Sequence, residues 1–254
     1  MAVADPPMAP DGAARLVAAA AANLAAWHDL HLRSLGHRTA WRDGLWLAPD
    51  QVPVIFFSAI AVRPGADPLV VASGTPGTGW TAACDPWADL PLAGVGYQHV
   101  SDQPWMSRLP APVPADPLPA GLSIERVASV EDLVRFEATA AAGFESGAVA
   151  PHTWHGPAVL ADPRLAMWLG MVEGRAAAVA MGFREAGVLG IYGVATVPSM
   201  RRRGFATALT SHAIASGPDE PAVLQPSAMA EPLYGRLGFR RFGAFRTWAR
   251  VAGA

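Results

Sequence analysis

Hydrophobic positions recur along this chain at four-residue and two-residue spacings, and these spacings divide it into two series of helices and strands. From Asp11, a helix-capping residue, Leu16, Leu24, Trp27 and Leu30 form a helical stripe that runs to about Leu35, where Gly36 offers a stop. Residues 1–10, with three prolines and no period, read as a frayed tail. Thr39–Arg42 and Leu45–Ala48 flank Asp43-Gly44, a strong hairpin signal, and Val52–Val62 reads as a strand interrupted near its start by Pro53. The second series begins after the proline-dense stretch Leu109–Pro119. Leu122–Val127 reads as a strand, and Ser129 with Asp132 opens a helix carrying Leu133, Phe136 and Ala140 on one face. Phe144–Asp162 is irregular. Arg164–Val172, Arg175–Phe183 and Val188–Val197 then read as three strands joined by the turns Glu173-Gly174 and Glu185-Ala186-Gly187. A helix over about Arg203–Ser216, with Phe205, Leu209 and Ala213 at four-residue spacing, leads to a short strand at Ala222–Gln225. A helix at Ala230–Leu237 and a strand at Phe239–Val251 complete the series.

Composition turns this pattern into a globular expectation. Of 254 residues, 52% are hydrophobic and only 16% charged, which favours a large core over disorder. The length suits two domains, predicted at 1–109 and 121–254 and joined by a semi-rigid, extended linker at 110–120. The alanine-rich segment Ala13–Ala26 carries Arg15 and Asn23 and reads as an exposed amphipathic helix, not a membrane span; no apolar run reaches the roughly 18 residues a span needs. Asp5 and Asp11 stand where a secretory signal would be basic. The single cysteine, Cys84, excludes an internal disulfide and fits a reducing cytoplasm; without a basic neighbour it is a poor nucleophile. A net charge of −2 gives no electrostatic reason to bind nucleic acid, and the absence of lysine reads as coding bias. Gly74–Gly79 is glycine-rich but lacks the Gly-Lys-Ser/Thr ending of a phosphate loop, so it reads as a plain loop.

The candidate chemistry lies in Gly190–Leu209. A β-branched run ends at Pro198, the basic turn Arg201-Arg202-Arg203 follows, and a helix begins. Such a start leaves the N–H groups of Arg203 to Thr207 unpaired and adds about half a positive charge from the helix dipole, which suits a diphosphate. Arg201-Arg202-Arg203-Gly204-Phe205-Ala206 and, further on, Tyr234-Gly235-Arg236-Leu237-Gly238-Phe239 stand on either side of Ala222–Gln225. Together these motifs resemble the acetyl-coenzyme A signature of the GNAT superfamily of N-acetyltransferases, over roughly residues 121–251. The resemblance implies an α/β fold of the α+β type: a mixed, mostly antiparallel central sheet flanked by helices, with a second, amino-terminal α/β domain. In the first half, Leu90, Leu92, Gly94, Gly96 and Tyr97 echo the second motif without any counterpart of the arginine turn. The first half is therefore read as a degenerate GNAT-like repeat, and one working cradle per chain is expected.

The resemblance further implies transfer of an acetyl group from acetyl-CoA to a primary amine of a small molecule or peptide, by direct attack in a ternary complex. Val194, Ala195 and Thr196 would present main-chain groups to pantetheine and polarise the thioester carbonyl, with Arg201, Arg202, Arg203, Gly204, Phe205, Ala206 and Thr207 holding the diphosphate. Tyr234 would protonate the departing thiolate; its alternative is an ordinary core tyrosine. For the general base, Glu137, Glu145, His152 and His155 are candidates, and Glu145 is paired with Tyr234 as the catalytic set. Phe144 and Trp154 would shape the acceptor pocket, while Trp168, inside a strand pattern, suits core packing. His152 and His155 lack a third ligand, so no metal is expected. Nucleic-acid and membrane partners are not expected, and a homodimer is left open. The rival reading is a non-catalytic acyl-CoA-binding or sensing protein with an amino-terminal interaction module.

Overall fold

The computed structural model describes residues 10–113 and 117–251; of the tail expected at residues 1–10, residues 1–9 lie outside the described residues and Pro10 already belongs to the first helix. Helix α1 spans Pro10–Ser34. At the hairpin, Asp43 and Gly44 have φ of 53° and 78°, the left-handed pair that a tight turn requires, and β1 (Ala40–Arg42) pairs with β2 (Leu45–Leu47). The strand expected over Val52–Val62 shrinks to β3 (Ala59–Ala61). Pro53 offers no N–H to a ladder, and its carbonyl accepts from Phe56 N at 2.9 Å, which folds the preceding segment into a turn. Helix α2 (Pro68–Gly74) leads through the Gly74–Gly79 loop to β4 (Trp80–Asp85), and a 3₁₀ turn at Leu92–Val95 leads to β5 (Gln98–Arg108).

The second series follows its pattern closely. It comprises β6 (Leu122–Arg126), α3 (Val130–Gly143), β7 (Leu165–Val172), β8 (Arg175–Glu185), β9 (Val188–Thr196), α4 (Phe205–Ile214), β10 (Ala222–Leu224), α5 (Glu231–Arg236) and β11 (Arg240–Val251). Ser129 and Asp132 form the expected capping box of α3. Phe205, Leu209 and Ala213 are the buried face of α4. Trp168 packs half-buried against that same cluster, with His212 edge-on at 4.3 Å.

Among the described residues, eleven strands form one sheet in the order β1-β2-β3-β4-β11-β5-β10-β9-β8-β7-β6. The sheet is mixed and mostly antiparallel, with β3/β4 and β9/β10 as its parallel pairs. The linker separates the halves in sequence, but in space they exchange strands. β11, from the second half, lies between β4 and β5 of the first, and β5 in turn pairs with β10.

Helix α1 corrects the expectation of an exposed amphipathic surface over Ala13–Ala26. Ala20, Ala21 and Ala25 are fully buried, because α1 crosses to lie on β8 and β9 of the second half. The small side chains permit that close approach. Asn23, also fully buried, joins the two halves: its amide donates to the carbonyls of Phe183 at 3.0 Å and Val188 at 3.1 Å, and its oxygen accepts from the Tyr192 hydroxyl at 2.7 Å. Asn23→Ala strands these partners in an apolar site and is expected to cost about 2–4 kcal/mol in urea unfolding. A loss of under about 0.5 kcal/mol would show that the junction does not depend on this bond.

Nearby, His28, His31 and His155 are buried together, and the Nδ1 atoms of His31 and His155 are 3.0 Å apart.

Candidate functional site

Strands β9 and β10 pair only at Ala222↔Leu189 and Val223↔Gly190. Past Gly190, the β10-facing main chain of β9 has no strand partner among the described residues. A register shift opposite Val179/Met181 and a φ of 60° at Gly193 bend β9 at this point; a Cβ on Gly193 would meet Met181 Cε at 2.6 Å. Two buried side-chain atoms flank the parting without hydrogen-bond partners among the described residues: Thr196 Oγ1 at the end of β9, and Gln225 Nε2 just after β10.

The arginine turn closes one side of the resulting cleft. Gly204 has φ 83° and ψ 0° and caps α4 without any side-chain bond. The first helical bond of α4 runs from Ala208 N to Gly204 O at 3.0 Å, so the N–H groups of Phe205, Ala206 and Thr207 precede the helical ladder. The cleft is about 680 Å³ and is lined by Val194, Ala195, Thr196, Arg201, Arg202, Gly204, Phe205, Ala206 and Thr207. Gly143 and Phe144 wall it from α3, and Ser227, Leu233 and Arg236 wall it from the α5 side.

Other predicted site residues are placed elsewhere. The Arg203 guanidinium lies over the Phe205 ring at 5.0 Å and against Met200 Sδ at 2.9 Å; it touches two lining residues but does not itself line the cleft. Tyr234 is 7% exposed, packs edge-on against Phe239 and does not line the cleft; burial pushes its phenol up to about 12. Trp154 is a core residue, whereas Phe144 is half exposed at the cleft mouth.

Among the base candidates, Glu145 is exposed and ion-paired to Arg201 at 3.0 Å. Glu137 is buried and accepts from the backbone N–H of His152 at 2.7 Å and of Trp154, which makes it the anchor of that loop. His152 Nδ1 is 3.2 Å from the carbonyl of His155, and burial lowers the His155 ring to about 3. Among the described residues, no group of three His, Cys, Asp or Glu is arranged to hold a metal.

Gly143 is a cleft residue that the sequence does not single out. A Cβ there would sit 2.8 Å from Ala195 Cβ and 3.1 Å from Thr196 N, so only glycine leaves this part of β9 open. The signal was a glycine ending a helix beside an aromatic residue, which by itself names no partner.

Residues 129–239 match the family model described as the Acetyltransferase (GNAT) family. This segment is a GNAT acetyltransferase domain. It contains α3, the cleft, the arginine turn and α5. A GCN5-related N-acetyltransferase from Kribbella flavida superposes with a TM-score of 0.61 at 24% identity, covering 89% of this chain and 95% of that one. A protein assigned to the GNAT family from Novosphingobium aromaticivorans is 26% identical, with a TM-score of 0.57, over 87% of this chain and 95% of its own. A GCN5-related N-acetyltransferase from Sphaerobacter thermophilus shares the fold over 98% of this chain and 96% of its own, at 15% identity and a TM-score of 0.55. The structural likeness therefore extends beyond residues 129–239. No curated protein matches the chain. Among the described residues, no helix is long and apolar enough to cross a membrane.

Proposed function

We propose that the chain is a cytoplasmic N-acetyltransferase that moves the acetyl group of acetyl-CoA to a primary amine of a small molecule or peptide. The observation that carries the reading is the uncapped start of α4 at Gly204, opening onto the same cleft as the unpaired edge of β9. Amide donors and a helix dipole suit a diphosphate, while an unpaired strand edge suits the amides of pantetheine. Main-chain N–H groups from Phe205 to Thr207, together with Arg202, would hold the diphosphate; β9 from Val194 to Thr196 would hold the arm. The donor supplies an activated acyl carbon, attacked directly by the neutral amine: the C–N bond forms, the C–S bond breaks, and the surplus proton on nitrogen passes to solvent. A β9 N–H at that carbonyl would stabilise the developing oxyanion.

Tyr234 is proposed as the group that returns a proton to the departing sulfur. Its raised phenol remains protonated at neutral pH, as a donor must. Tyr234→Phe is expected to lower kcat about 100-fold while leaving KM for acetyl-CoA within about twofold. Thiol release over a panel of amines measures this, and an unchanged kcat would return Tyr234 to the core. The rival reading, coenzyme binding without turnover, draws on a specific feature: among the described residues, no carboxylate or imidazole lines the cleft. Binding without release on any amine would establish it.

The first half (1–109), joined by the 110–120 linker to the GNAT half (121–254), is read as a degenerate repeat. Gly96 has φ 88° and Gly238 has φ 89°, and each precedes an i→i−5 bond: Tyr97 N to Leu92 O at 3.2 Å, and Phe239 N to Tyr234 O at 3.0 Å. Leu92 thus stands where the second half has Tyr234. At α2, the Asp67 carboxylate accepts from Leu69 N at 2.8 Å and occupies the helix start that Gly204 leaves open on α4. This supports one cradle per chain.

A further inference from the structure

The guanidinium of Arg201 is spoken for. Its Nε lies 3.3 Å from the Thr196 carbonyl, one terminal nitrogen donates to Glu145 Oε1 at 3.0 Å, and the other donates to the Gly143 carbonyl at 2.7 Å. Each nitrogen therefore has an acceptor supplied by the chain. Gly143 is the last residue of α3, and its carbonyl belongs to the helix terminus that lacks intrahelical donors and carries the negative end of the dipole. Thr196 is the last residue of β9. Glu145 completes the arrangement from a left-handed backbone conformation, φ 57°, just beyond α3.

Two elements are thus tied at the point where they come closest. The Gly143 backbone faces Ala195 and Thr196 N so tightly that a methyl group would not fit without displacement. Both Gly143 and Thr196 line the cleft. Whatever fixes α3 against β9 also fixes the cleft width where an acyl-pantetheine arm would run. Arg202, the next residue, is exposed and lines the cleft with no side-chain hydrogen bond among the described residues.

We propose that Arg201 is a positioning residue, a three-point brace that holds the end of α3 onto the end of β9 and sets the cleft for the acyl arm, and that it is not a ligand of the diphosphate. Glu145 is then part of the brace and not the base. The proposal rests on the coenzyme reading of the cleft, and it separates two adjacent arginines of one motif by function.

Two donors test it: acetyl-CoA, and S-acetylpantetheine, which lacks the diphosphate. Arg201→Met is expected to lower kcat/KM for both donors by the same factor, about tenfold, because the shared part of the site is misplaced. Arg202→Met is expected to weaken acetyl-CoA alone. Arg201→Lys should not rescue, since one ammonium cannot span three acceptors arranged for a planar fork. Glu145→Gln, an exposed and mild change, should produce a smaller loss with both donors and leave the acid limb of the pH–rate profile in place. An Arg201→Met penalty confined to acetyl-CoA would make Arg201 a phosphate ligand and overturn the proposal. Loss of the acid limb in Glu145→Gln would overturn the role given to Glu145. A wild-type chain that binds neither donor would overturn the coenzyme reading, and this inference with it.

Discussion

Replacing Gly204 by aspartate is expected to weaken acetyl-CoA binding at least about 100-fold while the chain stays folded. Gly204 sits at φ 83°, a region that aspartate tolerates better than most residues, and the nearest atom to an added Cβ is Pro119 Cγ at 3.3 Å. The new carboxylate would take the N–H groups at the start of α4, as Asp67 already does at α2. It would therefore compensate part of the helical strain while occupying, with the wrong charge, the donors that a diphosphate requires. Losing even two charge-assisted bonds of about 1.5–3 kcal/mol each predicts affinity at least about 100-fold weaker by calorimetry. Gly204→Ala, which adds strain but no carboxylate, should lose far less. Equal affinity in wild type and Gly204→Asp would remove the diphosphate assignment from this turn.

The second large effect is acid sensitivity between about pH 4 and 6.5. Burial lowers His28 to about 4 and His155 to about 3, and it drives His31 down as well, with the neighbouring His155 and His28 adding to the shift. Their surroundings are aromatic: Trp27, Trp46, Phe56 and Phe57 around His28 and His31, and Phe136 against His155. The folded chain holds these rings neutral, whereas the unfolded chain protonates them below about pH 6.5. The unfolded state therefore binds more protons in this window, and stability falls as pH falls. Above about pH 6.5 the contribution is fully present. Each ring contributes a slope of about 1.4 kcal/mol per pH unit, so the three together can consume the stability of an ordinary domain within a few units. Depressed carboxylates such as Asp50, which Arg38 holds at about 2, act only at lower pH. Urea midpoints between pH 4.5 and 8 measure the slope, and His31→Gln with His155→Gln should flatten it. A flat wild-type profile from pH 5 to 7 would contradict the account.

What the sequence makes legible is what its local chemistry determines. The hairpin at Asp43-Gly44, the capping box at Ser129 and the buried face of α4 each depend on residues within one or two turns of each other. The strand end, turn and helix start between Val194 and Thr207 are legible for the same reason, since they lie in one unbroken stretch; that Arg203 falls outside the cleft lining is not. Relations between distant segments were not. Ala13–Ala26 looks like a surface helix because the strands that bury it, β8 and β9, lie in the distant second half of the sequence. Glu137 resembles a base in sequence and proves to be a loop anchor, because its partners at His152 and Trp154 are main-chain groups, which carry no residue signature. Similarly, nothing in Arg201 itself distinguishes it from Arg202; the difference comes from the carbonyl of Gly143, folded in from another element.

The exchanged strands also dictate an order of events during synthesis. β5 leaves the ribosome long before β10 and β11, the neighbours on both its sides, have been made. For that interval an eleven-residue strand has two bare edges, the condition that invites pairing with another nascent chain. Pro104, which faces Ala244 in the finished sheet, sits within it and carries no N–H to offer such a partner. A residue that weakens the completed ladder thus protects the strand while it waits.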